Sequence, residues 1–251
     1  MPTEVPIKQS PLRPAPPLQA ITLCINTHGC YKNAPFHTTL AGQGQLLLAT
    51  VSSHAPSLTD ASPAQWLSSH PLAQSLLGVP GLNAAHSKSA DAFLHALYVK
   101  LAVSCCINPL TALLDVPNGA VADQPAAVQL MATVCAEVCS VCPPHLAARP
   151  DQLLASVQSV GRGTGGNVSS MLQDVRAGRG TEVAYLNGYV ARQAAARGMA
   201  APVNGALLQL LMAKEAMYGH ARGGDRGAGR EALDDGWISS LKTPRLSPAE
   251  C

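Results

Sequence analysis

Lys100, Ser104 and Asn108 fall at i, i+4 and i+8 of one apolar stretch, Tyr98-Val99-Lys100-Leu101-Ala102-Val103-Ser104-Cys105-Cys106-Ile107-Asn108-Pro109-Leu110. On a helix that spacing stacks the three side chains on one face. A lysine so placed can act as a proton donor, and Ser and Asn beside it as hydrogen-bond donors. The neighbours of Lys100 are apolar, so its ammonium is expected to lose solvation and become a usable proton donor near neutral pH. A plainer reading stays open. Lys100 could snorkel to solvent while Ser104 and Asn108 bond local backbone.

Positioning such a face requires a long helix, and Asp91 to Leu114 supplies one, free of Pro until Pro109, with Ser89 or Asp91 as N-cap. Further helices are expected over Asp123–Val141, Gln152–Val160, Ser169–Arg176, Thr181–Arg197 and Val203–Tyr218, so residues 89–218 read as an all-helical domain. Ahead of it, Ile21–Ile25 reads as a strand. Phe36–Leu40 and Gln45–Val51, separated by Gly42-Gln43-Gly44, look like a hairpin. A short helix is expected around Ala64–Leu77.

Two blocks carry a family resemblance. The run from Lys100 through Asn108-Pro109-Leu110-Thr111 to Asn118-Gly119 resembles the signature helix and turn of ketopantoate reductases (2-dehydropantoate 2-reductases). A second block, Asn167-Val168-Ser169-Ser170-Met171-Leu172-Gln173-Asp174 through Thr181-Glu182 to Val190, is similar to the same family in order and spacing, and Pro202–Leu211 resembles its next helix. The resemblance implies NADPH-dependent reduction of ketopantoate to pantoate on the route to pantothenate and coenzyme A. It implies that Lys100 is the general acid, that Asn108 and Ser170 contact substrate, and that Glu182 orients the lysine and substrate hydroxyls. Ser104 stands where the family's signature helix carries its first asparagine, which shortens the reach toward substrate. Ser169 and Ser170 have a second reading as helix caps, and Glu182 as a carboxylate favoured in the first turn of its helix.

The implied fold is α+β: a 6-phosphogluconate-dehydrogenase-like helical domain at 89–218, preceded at 17–88 by a partial Rossmann-type α/β remnant. Residues 1–16 are expected to be a disordered leader and 219–251 a disordered tail. No G-x-G-x-x-G turn follows a strand near the start. Thr27 and His28, in the segment Asn26-Thr27-His28-Gly29, are the residues nearest the expected cofactor edge. A literal match, Gly161-Arg162-Gly163-Thr164-Gly165-Gly166, follows a predicted helix instead of a strand and is expected to be a flexible loop leading to Ser169-Ser170. A catalytically inactive relative serving as a structural or interaction module is the alternative function.

Composition narrows the partners. A net charge of +2 with no long basic run, and 4% aromatics, argue against nucleic acid. No stretch approaches about eighteen uninterrupted apolar residues, so no membrane span is expected. The proline-rich start has no apolar signal region, and the eight cysteines read as reduced thiols of a cytoplasmic protein. Cys135, Cys139 and Cys142 share a helix side, but packing is the expected role and no metal is assigned. The expected partner is a small 2-keto acid, with a homodimer left open.

Overall fold

The run Leu46-Leu47-Leu48-Ala49 is apolar at every position, a pattern that suits a strand covered on both faces. The computed structural model, which describes residues 20–34, 36–52 and 71–221, builds the run in that way. It lies in β4 (Leu46–Ser52), the central strand of a three-stranded sheet. β1 (Ala20–Asn26) pairs antiparallel with it, Ile25 opposite Leu47 and Asn26 opposite Leu46. β5 (Ala84–His86) pairs parallel on the other side, Leu46 opposite Ala84. Because side chains alternate along a strand, Leu46 and Leu48 pack on Ala73 of helix α1 (Pro71–Leu77), whereas Ala49 joins Ile25 and Phe93 on the opposite face.

The hairpin inferred from the sequence is not formed as expected. β3 (His37–Gly42) pairs with β2 (Gly29–Ala34), which the sequence reading missed, and β4 returns to β1. The turn at Gly42-Gln43-Gly44 looks local, yet its exit is claimed by Thr27. The Thr27 amide donates to the Gln45 carbonyl at 3.0 Å, and the Gln45 amide donates to Thr27 Oγ1 at 2.8 Å. The β2–β3 pair is thus an excursion between two strands of the main sheet.

Helix α2 (Ala90–Leu114) leaves the sheet and becomes the axis of the helical domain. Ser89 is its cap, accepting from the Ala92 amide at 3.1 Å, and Asp91 lies in the first turn, where a carboxylate suits the helix dipole. At the other end Asp115 adopts a left-handed conformation (φ 58°), while Lys214 Nζ donates to the terminal carbonyls of Ala112 and Leu113 at 2.7 and 3.1 Å. By length and mean hydropathy α2 would pass for a membrane span, a property the residue-by-residue reading overlooked. Half of its most apolar window is buried inside the domain, as befits a core helix.

Around α2 stand α3 (Asn118–Ala122), α4 (Pro125–Val141), α5 (Pro150–Gly163), α6 (Ser170–Arg176), α7 (Asn187–Ala196) and α8 (Pro202–Ala221). Ala102, Cys105, Cys106, Ile107 and Leu110 of α2 meet Met131, Val134, Cys135 and Val138 of α4 in the largest core. Cys135 and Cys142 are buried there, with Cys106 Sγ 3.8 Å from Cys135 Sγ. The main departures from the expected helices are these. α3 is an extra turn after Pro117. α5 runs to Gly163, so the first half of the glycine run is helical. α7 begins only at Asn187, six residues later than expected from Thr181. The leader at 1–16, the first part of the expected Ala64–Leu77 helix and residues 222–251 lie outside the described residues, whereas residues 219–221, expected in the disordered tail, continue α8.

Candidate active site

Lys100, Ser104 and Asn108 lie on one unbroken helix, and none of the three is buried, unlike Ala102, Cys105, Cys106 and Ile107 between them. The apolar neighbours that suggested a desolvated lysine face the other way. Lys100 is exposed, and its ammonium donates to the main-chain carbonyl of Asn26, the last residue of β1, at 2.7 Å. The cation therefore stands at the seam between sheet and helices. Beneath this face the Cys105 thiol is pushed far above its usual range by burial first, then by Cys135 and Glu182, which leaves it neutral.

Glu182 reaches the same face from a distant part of the chain. Its Oε1 accepts from Asn108 Nδ2 at 3.4 Å, the long end of the hydrogen-bond range. The preceding residue anchors it, because the Thr181 amide and hydroxyl both donate to Glu215 Oε1 on α8. The Glu182 carbonyl then accepts from the amides of Tyr185 and Leu186, which turns the chain before α7 starts. Glu182 is consequently outside the helix, and the reading of it as a first-turn helix carboxylate does not hold. The side chain it meets is Asn108, while Lys100 donates to Asn26.

Ser169 and Ser170 divide their tasks. Ser169 is the cap of α6, accepting from the Leu172 amide at 3.1 Å, and its hydroxyl lies 2.7 Å from that of Thr111. Thr111 is three residues past Asn108, so this pair of hydroxyls ties α6 to α2 beside Asn108. Ser170, next in line, is exposed at the head of the helix. Asn167 closes the far side. Its Nδ2 would stand 3.4 Å from a Cβ placed on Gly29, at the base of the β2–β3 hairpin.

Thr27 and His28, placed nearest the expected cofactor edge from sequence, have their polar atoms engaged by backbone. Thr27 Oγ1 donates to the Gln45 carbonyl at 3.1 Å. His28 Nδ1 accepts from the Gly44 amide at 3.0 Å, so Nε2 bears the hydrogen and donates to the Leu82 carbonyl at 2.8 Å. Gly44 has to be glycine, since a Cβ there would sit inside the backbone of Thr27 and His28. The Gly161–Gly166 run is likewise structural. The Gly119 amide donates to the Gly165 carbonyl and the Asn118 amide to the Asn167 carbonyl, each at 3.0 Å. A Cβ on Gly119 would lie 2.8 Å from Gly165 Cα, so the glycines let α3 and this loop touch main chain to main chain. The expectation of a flexible loop gives way to a packed one.

Sequence reasoning missed a buried polar chain behind the site. Asn187 and Asn204 are fully buried and Glu137 nearly so, and they hydrogen-bond in series. A carboxylate within the apolar helix Pro125–Val141 was the available signal, because a buried charge must find donors.

The site thus consists of an exposed lysine at the seam between a small sheet and a long helix, with an asparagine on the same helix and a carboxylate brought alongside it by a later turn. Residues 92–215 match the model described as ketopantoate reductase PanE/ApbA C terminal. A 2-dehydropantoate 2-reductase of Yersinia pestis is 44% identical over 124 residues, covering 49% of this chain and 40% of that protein. The chain thus spans about two fifths of the length of that relative. A crystal structure of a probable 2-dehydropantoate 2-reductase from Bacillus subtilis superposes with a TM-score of 0.60 at 28% identity, over 78% of this chain and 61% of that one. D-mandelate dehydrogenase, solved with NADH and anilino(oxo)acetate, gives a TM-score of 0.62 at 25% identity over 76% and 59%.

Proposed function

We propose that this chain carries the keto-acid half of a reductase that converts 2-dehydropantoate to pantoate with NADPH, a step toward pantothenate and coenzyme A. The observation that supports it most is the shared face of Lys100, Ser104 and Asn108, with Glu182 on Asn108, within the residues that match the ketopantoate reductase C-terminal model. The described residues do not by themselves fit a dinucleotide. Thr27 and His28 are engaged by the backbone of Gly44, Gln45 and Leu82, and the glycine run packs on α3. The chemistry assigned here is therefore confined to the substrate oxygen and its proton.

In this reading the ketone oxygen replaces the Asn26 carbonyl as the acceptor for Lys100 Nζ. The ammonium stabilises negative charge building on that oxygen and then delivers its proton, leaving a neutral amine. Asn108 directs its amide at the substrate because Glu182 accepts from one of its hydrogens. Ser104 and Ser170 supply hydroxyls for the carboxylate and the distal hydroxyl. The use of NADPH over NADH, and of ketopantoate over another 2-keto acid, belong to the proposal.

The test is ketopantoate binding by the purified chain, followed by ligand-observed NMR, alongside Lys100→Ala. Saturable binding in the wild type and markedly weaker binding in the variant, with unchanged far-UV circular dichroism, is the expected result. Equal binding in both sinks the mechanism. No binding of ketopantoate to the wild type favours the second reading, a structural or interaction module, whose supporting observation is the engagement of Thr27 and His28 by the turn at Gly44-Gln45.

A further inference from the structure

Pro109 sits inside α2, five residues before its end. A proline has no amide hydrogen, so the carbonyl four residues earlier, that of Cys105, loses its helical donor. A buried carbonyl without a donor is costly, and the helix is free to bend at that point. The structure fills the gap from another helix. Asn187 Nδ2 donates to the Cys105 carbonyl at 3.0 Å, across 82 residues of sequence.

Four further bonds fix which way Asn187 points. Its second amide hydrogen goes to Asn204 Oδ1 at 2.9 Å. Asn204 Nδ2 in turn donates to Glu137 Oε2 at 2.7 Å, and Glu137 also accepts from the Asn204 and Val203 amides at 2.8 and 2.9 Å. Glu137 can only accept, so Asn204 must turn its NH2 toward it and its oxygen toward Asn187. Asn187 is then obliged to donate toward Cys105. The polarity of the series is set at Glu137 and delivered at the proline gap. Cys105 lies between Ser104 and Asn108, and Asn187 is five residues beyond Glu182, so one side chain links both partners of the Asn108–Glu182 bond.

We infer that Asn187 is a positioning residue, a strut that holds α2 at the Pro109 gap and so keeps Asn108 within reach of Glu182. Its purpose rests on the reductase reading above, but its geometry does not. The test therefore reads the strut without turnover. In the full chain, the side-chain amide signal of Asn108 is followed by 15N-correlated NMR, assigned by its loss in Asn108→Asp. Asn187→Leu keeps the volume and removes both donors. The Asn108 signal is expected to shift in that variant and to return in Asn187→Leu/Pro109→Ala, where residue 109 again offers an amide hydrogen to Cys105. A role in stability alone would lower the unfolding midpoint and leave the Asn108 signal in place, which overturns the proposal. So does a shift that Pro109→Ala fails to reverse.

Should Asn187→Leu not fold, Asn204→Ala leaves Asn187 present but unguided. A smaller shift of the Asn108 signal is then expected, and none contradicts the strut. Where the chain turns over ketopantoate, Asn187→Leu should also lower kcat/KM by on the order of 10²-fold, the scale of a misplacement of about 1 Å. Failure of the wild type to bind ketopantoate would refute the reductase reading and leave the NMR outcome to decide the strut.

Discussion

Replacing Glu137 by Gln isolates the charge and one acceptor of the buried polar chain while keeping its shape. Glu137 receives three hydrogen bonds, from the Val203 amide on Oε1 and from the Asn204 amide and Nδ2 on Oε2. The two main-chain donors are orphan amides in the first turn of α8, which no earlier intrahelical carbonyl can satisfy. A glutamine can keep its oxygen toward Asn204 only by turning its NH2 onto the Val203 amide. One buried donor then faces a donor, at about 1–3 kcal/mol. The two retained bonds lose their charge assistance, and the negative end of the dipole interaction at the helix start disappears, adding roughly 1 kcal/mol. A total near 3 kcal/mol corresponds to a fall in Tm of about 6–12 °C for a chain of this size. Thermal unfolding followed at 222 nm measures it. A Tm within about 2 °C of wild type would mean that water or a neighbour already satisfies those amides and that Glu137 does not set the polarity of the chain.

Three other outcomes follow from the geometry. Gly119→Ala places a Cβ 2.8 Å from Gly165 Cα, a main-chain atom with little room to move, so Tm should drop by several degrees for a cost of about 1–3 kcal/mol; a Tm at or above wild type, as helix propensity alone would give, contradicts the close approach. Burial holds the Cys139 and Cys142 thiols up at about 11 against an ordinary 9.0. Their contribution to stability is full below pH 9, falls as the unfolded thiols ionise between 9 and 11, and is lost above that; denaturant midpoints that stay level across this window in wild type, or that fall equally in a Cys139→Ala/Cys142→Ala variant, contradict it. Ser104→Asn lengthens a side chain on the face shared with Lys100 and Asn108 and should lower the Kd for ketopantoate by roughly 2–10-fold, the worth of one hydrogen bond; an unchanged or higher Kd removes Ser104 from the substrate contacts.

Much of this domain is legible along the chain because its signals are local. Ser89 followed by an apolar run announces α2, and the spacing of Lys100, Ser104 and Asn108 places them together without any knowledge of neighbours. The errors arise where a distant residue decides. Gly42-Gln43-Gly44 has the chemistry of a hairpin turn, but Thr27 captures Gln45 and sends β4 to β1. Thr181 to Leu186 has helical composition, yet Glu215 holds Thr181 and the chain turns at Glu182. The expected desolvation of Lys100 failed because apolar neighbours in sequence occupy other sides of the helix. Asn187 offers no local sign of its task, since the carbonyl it completes is created by a proline on another helix.

The most direct measurement is a calorimetric titration of the purified chain with ketopantoate, repeated on Lys100→Ala. If the face of α2 is the keto-acid site, the wild type binds saturably, and the variant binds about 10–150-fold more weakly, the loss of one charge-assisted hydrogen bond. Equal affinity in the two proteins, or no binding to the wild type, would place the substrate elsewhere and contradict the role given to Lys100.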